Sequence, residues 1–198
     1  ALAQANANPD ADTIIFAASL AGGTLQLNGE LLIETDVTID GDVNGDDKAD
    51  ITIVAASGER VFQIEDSDTD AVLNSLTITG GYSSDFGGNI NAYAVNSLTI
   101  RDSSILNGTA YYGGGIAVDQ ENGQSLTVIN SLIANNTGYD LGGGIYIFGS
   151  SGQGVTTIIG STLTGNFADT GGGVASIASD VSVHNSTIVG NEATFRGG

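Results

Sequence analysis

Carboxylate and amide side chains are concentrated in one short stretch of the chain, residues 40–50. The side chains with suitable ligand oxygens are those of Asp40, Asp42, Asn44, Asp46 and Asp50. Such oxygens on a loop bent by glycine are the ligands that calcium prefers. The spacing fits a twelve-residue calcium loop only in part, because Ile51 or Ile53 stands where that loop needs its final glutamate. We therefore predict a calcium site between two strands; a solvated acidic loop is the alternative.

A second, weaker candidate for metal binding follows within one period of the repeat described below. Its acidic residues are Glu65, Asp66, Asp68 and Asp70. Because Asp46 and Asp68 are 22 residues apart, we expect the two clusters to lie on adjacent turns and to share cations. Carboxylates that close would repel one another without a cation. An acidic turn exposed to salt is the alternative.

A pair of aspartates is the candidate for acid–base chemistry. Asp140 and Asp169 each stand two residues before a glycine cluster, so they would stack about 4.8 Å apart on adjacent strands. That spacing is close to the carboxylate separation of a retaining glycosidase. Tyr111, Tyr112 and Tyr139 lie near the same edge and would form a platform for sugar stacking. In the alternative interpretation, the aspartates are turn residues and the tyrosines support the bend.

Basic residues are too few and too scattered for several enzyme classes. The chain has four Lys and Arg residues and one histidine, His184, which period-2 alternation places on the outside of its strand. A polysaccharide lyase needs a basic residue beside a carboxylate, and none of these residues forms a cluster. The absence of cysteine excludes disulfides, thiolate metal sites and cysteine nucleophiles.

The elements that position these residues belong to a repeat. Glycine clusters begin at residues 87, 113, 142, 171 and 197, so the steps are 26, 29, 29 and 26 residues. Short alternating segments such as Leu126–Val128 and Val181–Val183 precede the clusters and are typical of half-buried strands. This period predicts an all-β solenoid, a right-handed parallel β-helix of about seven coils. An asparagine recurs five or six residues before each cluster, at Asn107, Asn136, Asn166 and Asn191. We predict that the side chains of Asn136, Asn166 and Asn191 stack along the axis.

The 198 residues are enough for one domain. We divide it into an N-terminal cap at residues 1–12 with a short helix, irregular acidic coils at 13–80 and glycine-repeat coils at 81–198. The last glycine cluster coincides with the end of the chain, which suggests a piece of a longer protein or a unit that self-associates end to end.

The net charge of −19 predicts a surface that repels nucleic acid and anionic membranes. It suits a medium rich in salt or calcium. No apolar run approaches the length of about 20 residues that a membrane-spanning helix needs, so we expect no direct membrane insertion.

The N-terminal stretch Ala1–Phe16, with Asn-Ala-Asn-Pro followed by Thr-Ile-Ile-Phe, resembles the start of bacterial secreted β-helix proteins with a CSLREA domain. Val37–Asp42 and the Gly-Gly-Gly-Ile repeats match that family too, and the repeats are similar to those of polymorphic outer-membrane proteins. The resemblance implies a secreted or cell-surface protein. We expect a non-catalytic, adhesin-like, matrix or fibre-forming module stabilised by calcium. The alternative is a polysaccharide-acting enzyme or carbohydrate-binding β-helix that uses the Asp140/Asp169 and Tyr111/Tyr139 edge on a glycan.

Overall fold

The computed structural model describes residues 1–120, 123–149 and 154–198. These residues form one short helix, α1 (Leu2–Ala5), one 3-10 helix (Ala18–Leu20) and strands β1 to β24. No helix among them is long and apolar enough to cross a membrane. The strands, in chain order, are β1 Asp12–Ile15, β2 Thr24–Gln26, β3 Leu31–Ile33, β4 Val37–Asp40, β5 Ile51–Val54, β6 Phe62–Ile64, β7 Asp70–Asn74, β8 Leu76–Thr79, β9 Ile90–Ala92, β10 Ser97–Arg101, β11 Ser104–Leu106, β12 Thr109–Tyr112, β13 Ile116–Asp119, β14 Ser125–Ile129, β15 Leu132–Ala134, β16 Thr137–Leu141, β17 Ile145–Phe148, β18 Val155–Ile159, β19 Thr162–Thr164, β20 Phe167–Thr170, β21 Val174–Ile177, β22 Asp180–His184, β23 Thr187–Val189 and β24 Glu192–Arg196.

The strands stack into four parallel sheets, which is the solenoid that the repeat predicts. Sheet A contains β1, β4, β7, β10, β14, β18 and β22, and sheet B contains β2, β5, β8, β11, β15, β19 and β23. Sheet C contains β3, β6, β9, β13, β17 and β21, and sheet D contains β12, β16, β20 and β24. We number the coils 1 to 7 by their strand in sheet A. Six coils return to sheet C, and the seventh contributes β22 to β24, close to the predicted seven coils.

The core is a continuous column of branched aliphatic side chains inside the coils. Alternation along each strand sends one residue in two inward, and pairing in register places like residues on top of one another. Ile105, Ile133 and Leu163 form one such row in sheet B, and all three are fully buried. Burial of each side chain contributes about 1.5–3 kcal/mol. The helix α1 closes the first coil as expected, since Asn6 Nδ2 donates to the Leu32 carbonyl at 2.9 Å.

Asparagine side chains form a ladder at the corner between sheets B and D. The Oδ1 atom of Asn166 accepts from the backbone N–H of Asn136 and from its Nδ2, both at 3.0 Å. Asn191 Oδ1 accepts the equivalent two bonds from Asn166, at 3.0 and 2.9 Å. The predicted axial stacking of these three residues is therefore confirmed.

Asn107 recurs with these residues in the sequence but lies one position before the ladder. Asn107 has a left-handed backbone (φ 53°) at the exposed position before the ladder, and Gly108 occupies the ladder position. The side chain of Asn89 fills the gap from the glycine corner and donates to the Leu106 carbonyl at 2.9 Å. A Cβ on Gly108 would lie 2.5 Å from Asn89 Nδ2, so the glycine makes room for this replacement.

Serine side chains form a second ladder, at the corner between sheets A and B. The backbone N–H of Ser103 donates to Ser131 Oγ at 3.2 Å, and that of Ser131 donates to Ser161 Oγ at 3.1 Å. Each of these hydroxyls donates in turn to the carbonyl two residues earlier in the chain, as Ser131 does to Ile129 at 2.7 Å. The sequence shows these serines as landmarks of the repeat, and the structure shows that they connect successive coils.

The glycine clusters form the corner between sheets D and C. Gly142 has φ 67°, and a Cβ there would lie 2.4 Å from the carbonyl oxygen of Ile145. Only glycine meets both the conformational and the spatial requirement. Outward-facing side chains of the two sheets pack together across this corner, as Tyr112 and Tyr146 do, so the outer surface is concave there.

Candidate functional site

The acidic loop of residues 41–50 joins β4 to β5, and the carboxylate of Asp42 lies at its centre. Asp42 Oδ1 accepts from the backbone N–H groups of Asn44, Gly45 and Asp46, at 3.2, 2.7 and 3.2 Å. Its Oδ2 accepts from the N–H of Asp47 at 3.1 Å. Partial loss of solvent raises the pKa of Asp42, but the four amides outweigh this effect and hold the pKa below its usual value. Asp42 thus organises the loop backbone.

The other carboxylates of the loop also have protein partners. Asp50 accepts from the N–H of Val43 at 3.0 Å and from Asn44 Nδ2 at 3.2 Å. Asp40 Oδ1 accepts from the N–H of Asp42 at 3.0 Å. Within the described residues no group of three or more Asp, Glu or His side chains is arranged to hold a metal ion. A cation at this loop would have to displace such hydrogen bonds, and calcium binding there stays a prediction.

The second acidic cluster, residues 65–70, lies at a different corner of the coil. It joins β6 to β7, between sheets C and A, whereas the first loop lies between sheets A and B. The expectation that the two clusters occupy adjacent turns is therefore wrong. The inserted loop lengthens coil 2, so that Asp40 pairs with Asn74, 34 residues further on.

The cluster instead faces acidic residues of the preceding turn. Glu34, Asp36, Asp66 and Asp68 line a shallow depression of about 240 Å³. Asp36 accepts from the backbone N–H of Asp70 at 2.8 Å, and Asp70 accepts from Asn96 Nδ2 at 2.8 Å. Carboxylates therefore connect successive coils here too.

The edge formed by sheet D contains the predicted aspartate pair. Strands β12 and β16 pair on either side of a bulge, at Ala110–Gly138 and at Tyr112–Leu141. Between these two pairs β16 has two residues, Tyr139 and Asp140, where β12 has only Tyr111. The bulge makes the register of sheet D irregular. Leu141 still pairs with Thr170, the residues that follow Asp140 and Asp169, and the stacking of the two aspartates stays a prediction. Asp140 accepts a hydrogen bond from the Tyr112 hydroxyl on the preceding coil, and Asp169 accepts from Thr194 Oγ1 on the following coil at 2.6 Å. The two carboxylates thus bind partners in opposite directions along the axis.

The three tyrosines of this edge divide into two groups. Tyr111 and Tyr139 are exposed, at 44% and 53%. Tyr112 turns toward sheet C and stacks with Phe86 and Tyr146, at ring-centroid distances of 5.1 and 5.2 Å. The predicted sugar platform therefore contains at most Tyr111 and Tyr139, and its function stays a prediction.

Sequence reasoning missed a cleft that lies where sheets D and C meet. Its volume is about 210 Å³, and it is lined by Phe86, Asn91, Tyr93, Ala117, Val118, Asp119, Tyr146 and Phe148. The register of sheet C explains its shape. Ala117 lies between Asn91 on β9 and Tyr146 on β17, so one small side chain separates two large ones.

The next row of outward-facing side chains on sheet C, two residues further along its strands, borders the same cleft. Asp119 pairs with Phe148 on coil 5 and lies beside Tyr93, which follows β9 on coil 3. Burial is the main reason that the pKa of Tyr146 rises to about 12, and Tyr112, Asp140 and Asp119 add to the effect. The cleft is therefore aromatic in its walls and negative in its electrostatic potential. Only the alignment of three coils, combined with the concave corner, could have revealed it from the sequence.

Parallel sheets wound around one core and joined by polar side-chain ladders define the β-helix class of solenoid proteins. The sequence matches the family model described as "Right handed beta helix region" over residues 28–193. The chain therefore belongs to this family, and its β-helix is right-handed. No curated protein and no solved structure matches the sequence. The family match supports the β-helix assignment, while the narrower resemblances to CSLREA-domain and polymorphic outer-membrane proteins stay predictions.

Proposed function

We propose that the chain is a non-catalytic module of a secreted or cell-surface protein, in which the β-helix is a rigid, adhesin-like scaffold. The observation that carries the proposal is the distribution of ionisable groups. Among the described residues no Asp, Glu, Lys, Arg or His is buried, and the buried polar side chains are neutral Gln, Thr, Ser and Asn. Catalytic acids and bases usually have pKa values shifted by burial or by coupled charges. The surface carboxylates of this chain instead accept hydrogen bonds that hold loops and coils together.

The polar ladders support a mechanical role. In a solenoid each coil contacts only its neighbours, so stiffness depends on the bonds between adjacent coils. From coil 4 to coil 7, the asparagine and serine ladders add side-chain bonds to the backbone bonds of the sheets at two corners of the turn. A rod built in this way holds surface side chains at fixed positions along its axis.

Calcium is the second part of the proposal. A chain with 23 acidic and 4 basic residues repels itself, and bound cations would relieve the repulsion at the acidic loops. Binding to the folded state alone raises the melting temperature with calcium concentration. We expect calcium to raise it further than sodium or magnesium does at matched ionic strength.

Thermal unfolding in calcium and in chelator tests this part. Asp46→Asn removes a loop charge that makes no bond to the loop backbone, and Asp169→Asn removes a carboxylate far from the loop as the control. The calcium-dependent shift should shrink in Asp46→Asn and persist in Asp169→Asn. A shift no larger than that given by sodium would refute calcium stabilisation and leave the scaffold proposal standing.

The non-catalytic part is tested separately. Neutral polysaccharides incubated with the protein should release no reducing ends. Release by the wild type that is lost in both Asp140→Asn and Asp169→Asn would overturn the proposal and establish the glycosidase alternative.

A further inference from the structure

The aromatic cleft between sheets C and D has walls that lie outside the coils, away from the main core, and its Tyr93 and Phe86 side chains remain 58% and 37% exposed. Large apolar side chains gathered in a concave surface with a few polar groups are the usual sign of a ligand site. Coils 3, 4 and 5 each supply part of this cleft, so its shape depends on the stack as a whole.

We propose that this cleft binds an organic ammonium group, such as a quaternary or alkylated amine. Four aromatic rings line it, those of Phe86, Tyr93, Tyr146 and Phe148, and Asp119 is the charged residue among the lining side chains. The faces of aromatic rings attract cations, and several rings around one alkylammonium group form the usual site for such a ligand.

The register of sheet C indicates where the ligand would lie in the cleft. Ala117 forms the floor on coil 4, while large side chains rise on coil 3 and coil 5. The backbones of coils 3 and 5 are two sheet spacings apart, roughly 9–10 Å. The stacked rings of Phe86 and Tyr146, with centroids 6.2 Å apart, close the end of the slot at the glycine corner. The room for one small group is therefore on the side of Tyr93 and Phe148. Asp119 stands on the same coil as Ala117, two residues further along β13, and brings a carboxylate to the middle of the slot.

Charge decides between ligand classes. The carboxylates of Asp140 and Asp119 make the potential at Tyr146 negative, and the whole chain has a net charge of −19. An anionic ligand is repelled by this field, and a cation is concentrated by it. A neutral sugar would gain ring stacking alone. The organic cation is the ligand for which rings, carboxylates and overall charge act together.

The charge of Arg60, the basic residue beside the cleft, is already neutralised. Arg60 lies beneath the Phe86 wall and pairs with Glu30 at 3.0 Å. Its guanidinium donates to the carbonyls of Phe86 and Gly87, at 3.3 and 3.4 Å. Arg60 therefore fixes the segment that carries the Phe86 ring, and we assign it as a positioning residue of the cleft.

Calorimetric titration of the full chain with choline tests the proposal, with 3,3-dimethyl-1-butanol as the uncharged probe of the same shape. Choline should bind in the millimolar range, and the uncharged probe should bind several-fold more weakly. Tyr93→Ala should weaken choline binding by about three- to thirtyfold, the effect of losing one ring. Tyr139→Ala replaces a tyrosine of similar exposure on sheet D and should bind choline as the wild type does.

Charge is tested by Asp119→Asn, which should weaken choline binding and leave the weak binding of the uncharged probe unchanged. Equal binding of the two probes would overturn the proposal. So would binding of methyl glucoside in preference to choline, or equal losses in Tyr93→Ala and Tyr139→Ala. None of these outcomes affects the scaffold proposal, because its tests measure melting and glycan cleavage.

Discussion

Replacing Asn166 with alanine tests whether the side-chain ladder holds the coils together. Asn166 is fully buried, and its side chain takes part in four hydrogen bonds of the ladder. Alanine would leave the buried N–H of Asn136 without a partner and would remove one bond from the carbonyl of Ile133, which stays within the parallel pairing of β15 with β19. An unpaired buried group costs about 1–3 kcal/mol and a lost hydrogen bond about 0.5–1.5 kcal/mol, so we expect a loss of about 1.5–4.5 kcal/mol in the free energy of unfolding.

That loss is large beside the total stability of a domain, which is about 5–15 kcal/mol. It corresponds to a fall of about 3–18 °C in melting temperature for a chain of this length. Urea denaturation followed by circular dichroism measures it. Asn28→Ala is the matched control, because Asn28 is exposed. If Asn166→Ala costs no more than Asn28→Ala, the ladder does not connect the coils energetically and the reasoning is refuted.

The variant Asn166→Asp separates the loss of bonds from the loss of volume. Its carboxylate can still accept from the N–H of Asn136, but its second oxygen faces the Ile133 carbonyl, where Nδ2 now donates at 2.9 Å. Burial and the facing oxygen should raise the pKa of the new carboxyl above its unfolded value of about 3.9. A raised folded-state pKa means that stability relative to the wild type is greatest below pH 4 and falls as the pH rises. A deficit that does not change with pH would contradict the geometry.

Three further predictions concern the glycine corner, the cleft and the acidic loop. Gly142→Ala should cost clearly more than Gly22→Ala in urea denaturation, because both residues have positive φ but only Gly142 lacks space for a Cβ; equal costs would show that crowding is unimportant. The pKa of Tyr146 is raised from 10 to about 12, so its contribution to stability should be present below pH 10 and disappear as the pH rises to about 12. Tyr146→Phe should remove that component of the alkaline unfolding profile. The pKa of the Asp42 carboxyl is lowered, so its contribution to stability is present above pH 3.8, the usual pKa, and is lost as the pH falls through the lowered pKa. Hydrogen exchange of the Asn44–Asp47 amides should therefore be slowed at neutral pH and no longer slowed in that acidic range. In Asp42→Ala the slowing should be weak at every pH.

The repeat made the coil architecture predictable because stacking forces like residues into like places. Asn136, Asn166 and Asn191 recur five or six residues before their glycine clusters, and the ladder requires that recurrence. Asn107 lies outside the ladder because Asn107-Gly108 and Asn135-Asn136 contain different residues at the ladder position. The side chain that compensates, Asn89, comes from the preceding coil, and no local spacing indicates it.

The acidic clusters were placed incorrectly for a related reason. A distance of 22 residues approximates one period only where coils have no insertions, and coil 2 contains a ten-residue loop between β4 and β5. A bulge is equally hard to predict from spacing: β16 has one more residue than its neighbours between the paired positions. One inserted residue is enough to change which side chains meet, because side chains alternate between faces along a strand.

The glycine turn into sheet C shapes both the coil and the cleft. In coils 3 to 6 the chain turns into sheet C through a left-handed glycine, coming from sheet D or, in coil 3, from the equivalent segment. This turn brings two outward positions together. One is the residue before the first glycine, and the other is the second residue of the strand that follows. The first position is occupied by Phe86, Tyr112, Leu141 and Thr170 in successive coils, and the second by Asn91, Ala117, Tyr146 and Ala175. The backbone therefore repeats the same concave corner, but the aromatic residues fall in coils 3 to 5, with one alanine among them. Side-chain identity at these two positions, and in the row two residues further along sheet C that contains Tyr93, Asp119 and Phe148, restricts the proposed ligand site to one segment of the rod.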